Sequence, residues 1–217
     1  MFMLYESMAW ACLFSSLGIP VPLRRISVSS TLFYEALANY NSDNMKKVKF
    51  FIIASIDGYI ACPWDDDNKW FVEFPNPSKN DYGYKAFFDS ADTIIMDELV
   101  YNEILNLDVV WPYQDKITYV ISLFERKSGE NIRFVTDNIS KTVSQLKLQP
   151  GKDIWLIGGE AIAQLFDQAN EMQLVYIPVI HGNDKPLLPQ NLSFSQWTLS
   201  ENVAYDNGPI RLTYQRK

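Results

Sequence analysis

Residues 153–166 read "DIWLIGGEAIAQLF". Four apolar residues, Ile154 to Ile157, predict a short strand covered on both faces, and Gly158-Gly159 predicts a tight turn. Ile162, Leu165 and Phe166 then recur at helical spacing, which predicts a helix over 160–169. In such a strand-turn-helix unit, two residues without side chains let a ligand approach the backbone closely. The N–H groups opening the helix attract anions. Glu160 sets a carboxylate on that rim, where it stabilises the first helical turn and repels a phosphate.

The pattern around this unit alternates strands and helices. Val48 to Ala54 is a nearly unbroken apolar run ending before Asp57-Gly58, as expected of a central strand. Further strands are predicted at 92–96, 117–122, 132–136 and 172–179. Tyr84, Phe87 and Phe88 mark one helix, Val100, Ile104 and Leu105 a second, and Ile139, Val143 and Leu146 a third. Residues 63–81, rich in Pro, Asp and Asn, read as a long loop. The tail holds two strand-like runs around Asn207-Gly208, a pair that favours a type I′ hairpin turn. The expected architecture is α/β: a mixed sheet of about eight strands, helices on both faces, and a closing antiparallel hairpin.

A chain of 217 residues with 47% hydrophobic and 14% aromatic residues can bury a sizeable core as one large domain, with or without an appendage. Its net charge of −7, with no long basic run, excludes the electrostatic footprint of a nucleic-acid binder. Two cysteines, Cys12 and Cys62, make no disulfide framework and fit a reducing compartment. The apolar stretch "SMAWACLFSSLGIPVPL" follows Glu6 with no Lys or Arg before it, and Pro20 and Pro22 interrupt it. It matches neither a signal peptide nor a membrane span, so a cytoplasmic location is expected. Met45, in "MKKVKFFIIAS", resembles a natural start. Residues 1–44 are therefore expected to be an extension, a mis-called start or a poorly ordered segment, and 45–217 the domain.

The single histidine, His181, cannot build a metal cluster, and three consecutive acids in "DDDN" (65–68) lack the alternating spacing of a calcium loop. No metal is expected.

Five segments agree in order with one family. "IASIDGYIA" (53–61) resembles the first strand of the dihydrofolate reductase superfamily, and more closely the branch related to the C-terminal reductase domain of the bifunctional riboflavin-biosynthesis deaminase-reductase. "WPYQDKITYVIS" is similar to that branch's third strand, "DIWLIGGEAIAQLF" to its Gly-Gly unit, "LVYIPVIHGNDKPLL" to its following strand and loop, and "YDNGPIRLTYQR" to its closing hairpin. The resemblance covers about Met45 to Arg216. It implies a three-layer fold with a mainly parallel eight-stranded sheet, often in a homodimer. It also implies NADPH or NADH across the strand ends, and a pyrimidine- or pteridine-like small-molecule substrate beside it, as in 5-amino-6-(5-phosphoribosylamino)uracil reductase.

The resemblance assigns cofactor contacts to Gly158, Gly159, Glu160, Glu98, Ser122, Arg126 and Lys127. Several of these depart from the family pattern. Where the family carries G-R-x-T-Y after the second strand, this chain has Asp97-Glu98-Leu99-Val100-Tyr101, so the arginine that meets a 2′-phosphate is replaced by an acid. The arginine after the third strand is replaced by Leu123, with Arg126 and Lys127 as nearby substitutes. Glu98 in that place would accept from a free ribose hydroxyl and repel a 2′-phosphate, giving NADH preference. The alternative is a reductase fold kept for binding or structure, with impaired phosphate sites. Asp57 and Asp81 are the candidate proton donors, each with a competing reading as a turn or capping residue. Trp64, Trp70 and Phe74 are candidates for lining a flat pocket.

Overall fold

A computed structural model describes residues 45–61, 69–107, 109–182 and 185–217. The expectations for residues 1–44, Cys62, Trp64 and the acidic run 65–68 lie outside the described residues.

Eight strands form one sheet: β1 (Val48–Ser55), β2 (Ala91–Asp97), β3 (Ile117–Ile121), β4 (Ile132–Val135), β5 (Asp153–Ile157), β6 (Glu171–Ile177), β7 (Trp197–Ala204) and β8 (Ile210–Arg216), in the order β4-β3-β2-β5-β1-β6-β8-β7. Strands β1 to β6 run parallel, and β8 and β7 pair antiparallel at one edge. Among the described residues the helices are α1 (Lys69–Val72), α2 (Tyr84–Asp89), α3 (Glu98–Asn106), α4 (Ile139–Lys147) and α5 (Gly159–Leu165). The short α1 lies inside the stretch predicted as loop.

Alternation along the strands separates two cores. Val48, Phe50 and Ile52 of β1 and Ile154 and Leu156 of β5 pack against Ile139, Val143 and Leu146 of α4 and Ile162 and Leu165 of α5. On the opposite face Ile94 and Met96 of β2 and Trp155 of β5 meet Phe87 of α2 and Tyr101 and Ile104 of α3. The three-layer architecture expected from the sequence is therefore present. In α3 the buried partner of Ile104 is Tyr101, while Leu105 is 55% exposed.

Two predicted details change. The helix over 160–169 is two pieces, α5 and a 3₁₀ turn at Phe166–Gln168. Arg216 of β8 donates to the carbonyls of Phe166 (2.5 Å) and Ala169 (2.9 Å), drawing them away from a continuing α-helix. The hairpin forms, but not on a type I′ turn at Asn207-Gly208. The Gly208 N–H bonds the Tyr205 carbonyl at 2.9 Å, so Asp206 and Asn207 are the central residues, and Gly208 follows at φ 108°. Tertiary anchoring accounts for the shift: the Asn207 side-chain amide donates to Pro75 O at 2.9 Å and to the Tyr82 hydroxyl at 2.8 Å.

Candidate functional site

The β1–β5 ladder pairs Val48 with Ile154 and Lys49 with Trp155, and ends there although both strands run on. Beyond that point β1 stays with β6 as far as Ser55–Ile177, and β5 stays with β2 as far as Ile157–Met96. The sheet therefore opens between β1 and β5 toward its C-terminal edge. The helix α2, reached from β1, and α5, reached from β5, lie on opposite faces, which makes the gap a topological switch point. A cavity of about 940 Å³ lies in it. Its walls are Phe51 and Ile53 of β1, Trp155 and Ile157 of β5, and Tyr84 and Tyr113 from the α2 side. Trp155 holds Tyr84 and Tyr113 edge-on, with ring centroids 5.9 and 5.7 Å away. Burial raises the titration of both tyrosines, so they remain neutral phenols at neutral pH.

The Gly-Gly turn reaches the cavity, and its two glycines differ. Gly158 has φ 96°, and a Cβ there would collide with the Asp97 carboxylate. Gly159 has no such constraint: a Cβ would meet nothing within 4 Å, because its backbone faces open space. Asp97, 4% exposed at the end of β2, caps α3 by accepting the Val100 N–H at 3.0 Å. Its second oxygen accepts the Glu160 N–H at 3.2 Å. One carboxylate thus serves the first turns of two helices.

Glu98, the next residue, is occupied as well. Ser122 donates to its Oε2 at 2.9 Å, and Arg126 forms an ion pair with its Oε1. Arg126 also lies over the Phe134 ring, 5.6 Å from its centroid. Glu98, Ser122 and Arg126 are therefore one cluster at the ends of β2 and β3, and the guanidinium is already matched by a carboxylate. Lys127 is exposed on the loop beyond it, and the Glu160 side chain is exposed, with Oε1 accepting from Gln164 at 3.2 Å.

The two candidate donors separate. Asp57 does not line the cavity; a hydrogen bond from Ser55, with the backbone N–H groups of Gly182 and His181, holds its carboxyl at about 2. It ties the β1 turn to the loop after β6, with Gly182 N at 2.8 Å. Asp81 does line the cavity, but it accepts the N–H groups of Lys85 (2.9 Å) and Gly83 (3.0 Å) at the start of α2, which lowers its titration. Both groups are carboxylates at neutral pH, and their bonds match the turn and capping readings. Phe74 lines the cavity, whereas Trp70 lies tilted against His181, with ring centroids 5.3 Å apart.

Sequence reasoning missed Tyr113 and Trp155 as cavity walls. Trp155 carried a usable signal, a large ring at the strand position facing away from Ile154 and Leu156; Tyr113 carried none. Among the described residues no cluster of His, Cys, Asp or Glu could hold a metal, and no helix is long and apolar enough to cross a membrane.

No family model matches the chain. It is 32% identical over 146 residues to the uncharacterized protein YwjB of Bacillus subtilis, covering 65% of this chain and 82% of YwjB. A crystal structure from Shewanella sp. PV-4, of a protein provisionally named for riboflavin biosynthesis, superposes with a TM-score of 0.68 at 24% identity, covering 79% of this chain and 99% of that one. Dihydrofolate reductase from Enterococcus faecalis, complexed with NADP(H), superposes with a TM-score of 0.56 at 11% identity, covering 79% and 96%. The parted central strands, the Gly-Gly turn and the closing hairpin are thus placed on a dihydrofolate reductase-like fold, and the chain belongs to the family of Bacillus subtilis YwjB.

Proposed function

We propose that the protein is a reductase that takes a nicotinamide cofactor, NADH in preference to NADPH, and transfers hydride to a flat pyrimidine- or pteridine-like small molecule. The observation that carries this reading is the parting of β1 and β5 around an aromatic-walled cavity that meets the bare backbone of Gly159. A gap of this kind admits a planar ring between two strands, and Gly159 lets it approach the chain. When bound, the cofactor supplies the hydride, and the protein supplies orientation and a dry pocket. Trp155, Phe51 and Tyr84 form flat walls, and Leu99 and Val100 of α3 continue the cavity toward the Glu98 cluster.

The residues fit the two ends of a dinucleotide unequally. The ring end fits. At the other end Glu98 places a carboxylate where a 2′-phosphate would need a cation, and Arg126 is matched by it. The proton required at the reduced C=N or C=O comes from water or from the Tyr84 or Tyr113 phenol, because Asp57 and Asp81 are already ionised.

A second reading, a binding protein on the reductase fold, draws on Asp97, whose carboxylate occupies N–H groups near where a nucleotide phosphate would be held. Thermal unfolding with NADH, NADPH or neither separates the two. Stabilisation by NADH exceeding that by NADPH supports the reductase; no shift with either nucleotide refutes it.

A further inference from the structure

We infer that Asp97 is a built-in anion that excludes diphosphate from the junction of β2, α3 and the Gly-Gly turn. If the reductase reading on which this extension rests is right, the cofactor's diphosphate finds no N–H donors at this junction, and its affinity comes from the ring end and the adenosine-ribose end on either side.

Asp97 is 4% exposed, and its two oxygens accept separate backbone N–H groups, Val100 at 3.0 Å and Glu160 at 3.2 Å. These donors belong to different helices and converge on one carboxylate. A diphosphate entering the junction needs N–H donors and tolerates no nearby unpaired acid. Here the donors are taken and an acid is already in place. Gly158 shows how close the fit is, since even a Cβ would collide with the Asp97 carboxylate. Nearby charge reinforces the exclusion: the Glu160 carboxylate is exposed on the first turn of α5, and the neighbouring cation Arg126 is already matched by Glu98. The ring cavity is untouched by this arrangement, because Gly159 faces open space and the walls from Phe51 to Trp155 are independent of Asp97. Asp97 is thus a specificity-determining residue that separates ring recognition from phosphate recognition.

The test uses calorimetric titration of the full chain with inorganic pyrophosphate, NADH and reduced nicotinamide riboside. Wild type is expected to bind no pyrophosphate at millimolar concentration, and its preference for NADH over the riboside sets the baseline for the variants. Asp97→Ser keeps a capping oxygen for the Val100 N–H, removes the charge and opens the Glu160 N–H. It is expected to gain pyrophosphate binding and to raise the NADH-to-riboside preference about tenfold or more above that of wild type, roughly the value of one charge-assisted hydrogen bond. Asp97→Asn, close to isosteric, is the second variant, and circular dichroism confirms that each is folded. Pyrophosphate binding by wild type, or no gain in either folded variant, overturns the inference. If neither variant folds, the wild-type titrations decide it. Failure of all proteins to bind NADH and the riboside refutes the reductase reading alone, since the pyrophosphate arm still decides the role of Asp97.

Discussion

Asp97 Oδ2 accepts the backbone N–H of Glu160 at 3.2 Å, joining the end of β2 to the first turn of α5 across 63 residues of sequence. The contact exists because Gly158 between them has no side chain and takes φ 96°. Alanine there must adopt a conformation that L-residues avoid and must also displace the carboxylate. Gly158→Ala is expected to cost roughly 1–3 kcal/mol from the backbone alone, with a further loss as the two N–H bonds to Asp97 break. Gly159→Ala, at ordinary φ with open space around its Cβ, is expected to leave stability within about 0.5 kcal/mol and to weaken ligand binding instead. Urea unfolding of both variants, with and without NADH, checks the contrast. Equal destabilisation by both would refute it.

The Glu98–Arg126 pair predicts cofactor choice. At about 100 times its dissociation constant a ligand adds about 2.7 kcal/mol of stability, so thermal shifts rank the two nucleotides directly. NADH is expected to give the larger shift. Glu98→Gln removes the acid and leaves Arg126 available to a 2′-phosphate, which is expected to raise NADPH affinity about tenfold, the scale of one charge-assisted bond. A Glu98→Gln protein with the wild-type NADPH-to-NADH ratio would show that this cluster does not meet the ribose.

Buried charge near the N-terminal ends of the central strands β1 and β5 predicts stability. Lys49, 4% exposed, donates to Ser90 at 2.6 Å, pairs with Asp153 at 2.9 Å and lies 4.9 Å from the Phe87 ring centroid. It ties β1 to β5 at the last pair before the strands part. Lys49→Met is expected to destabilise by about 2–4 kcal/mol, because Asp153 loses its cation and the Ser90 hydroxyl oxygen loses its donor. Lys49→Met with Asp153→Asn is expected to recover part of that loss. Chemical denaturation of the cycle measures the coupling, and strict additivity would mean that the pair contributes nothing.

The layers were legible in the sequence because they rest on local periodicity. Ile139, Val143 and Leu146 and the run Ile154 to Leu156 point where their spacing says. The Gly-Gly turn was legible for a similar reason: no other residue type tolerates the conformation of Gly158. What the sequence hid depends on distant pairs. The parting of β1 from β5 is a register event between strands about a hundred residues apart, and neither strand signals it. Asp97 reads as an ordinary helix cap, and only folding brings Glu160 N–H to its other oxygen. Asp57 and Asp81 stand out in the sequence by their places after the first strand and before the next helix, and the backbone N–H groups that each accepts come together only on folding.

Asp57 also sets a pH dependence. Its carboxyl falls from 3.8 to about 2 in the folded protein, through Ser55 and the N–H groups of Gly182 and His181. A group with a depressed folded value contributes stability above its unfolded value, and that contribution is lost as pH falls through the folded one. The window is therefore pH 3.8 down to about 2. Asp81, lowered by Lys85 and Gly83 N–H groups, acts in the same direction below the usual carboxylate range. Asp57→Asn keeps an acceptor oxygen but cannot titrate, so its melting temperature is expected to fall less steeply than that of wild type across this window. The two curves should run parallel between pH 6 and pH 8, where the carboxylate of the wild-type protein is ionised in both states. Melting curves recorded from pH 2 to pH 8 check this, and an unchanged slope below pH 3.8 would show that the Asp57 bonds to the loop after β6 do not form in solution.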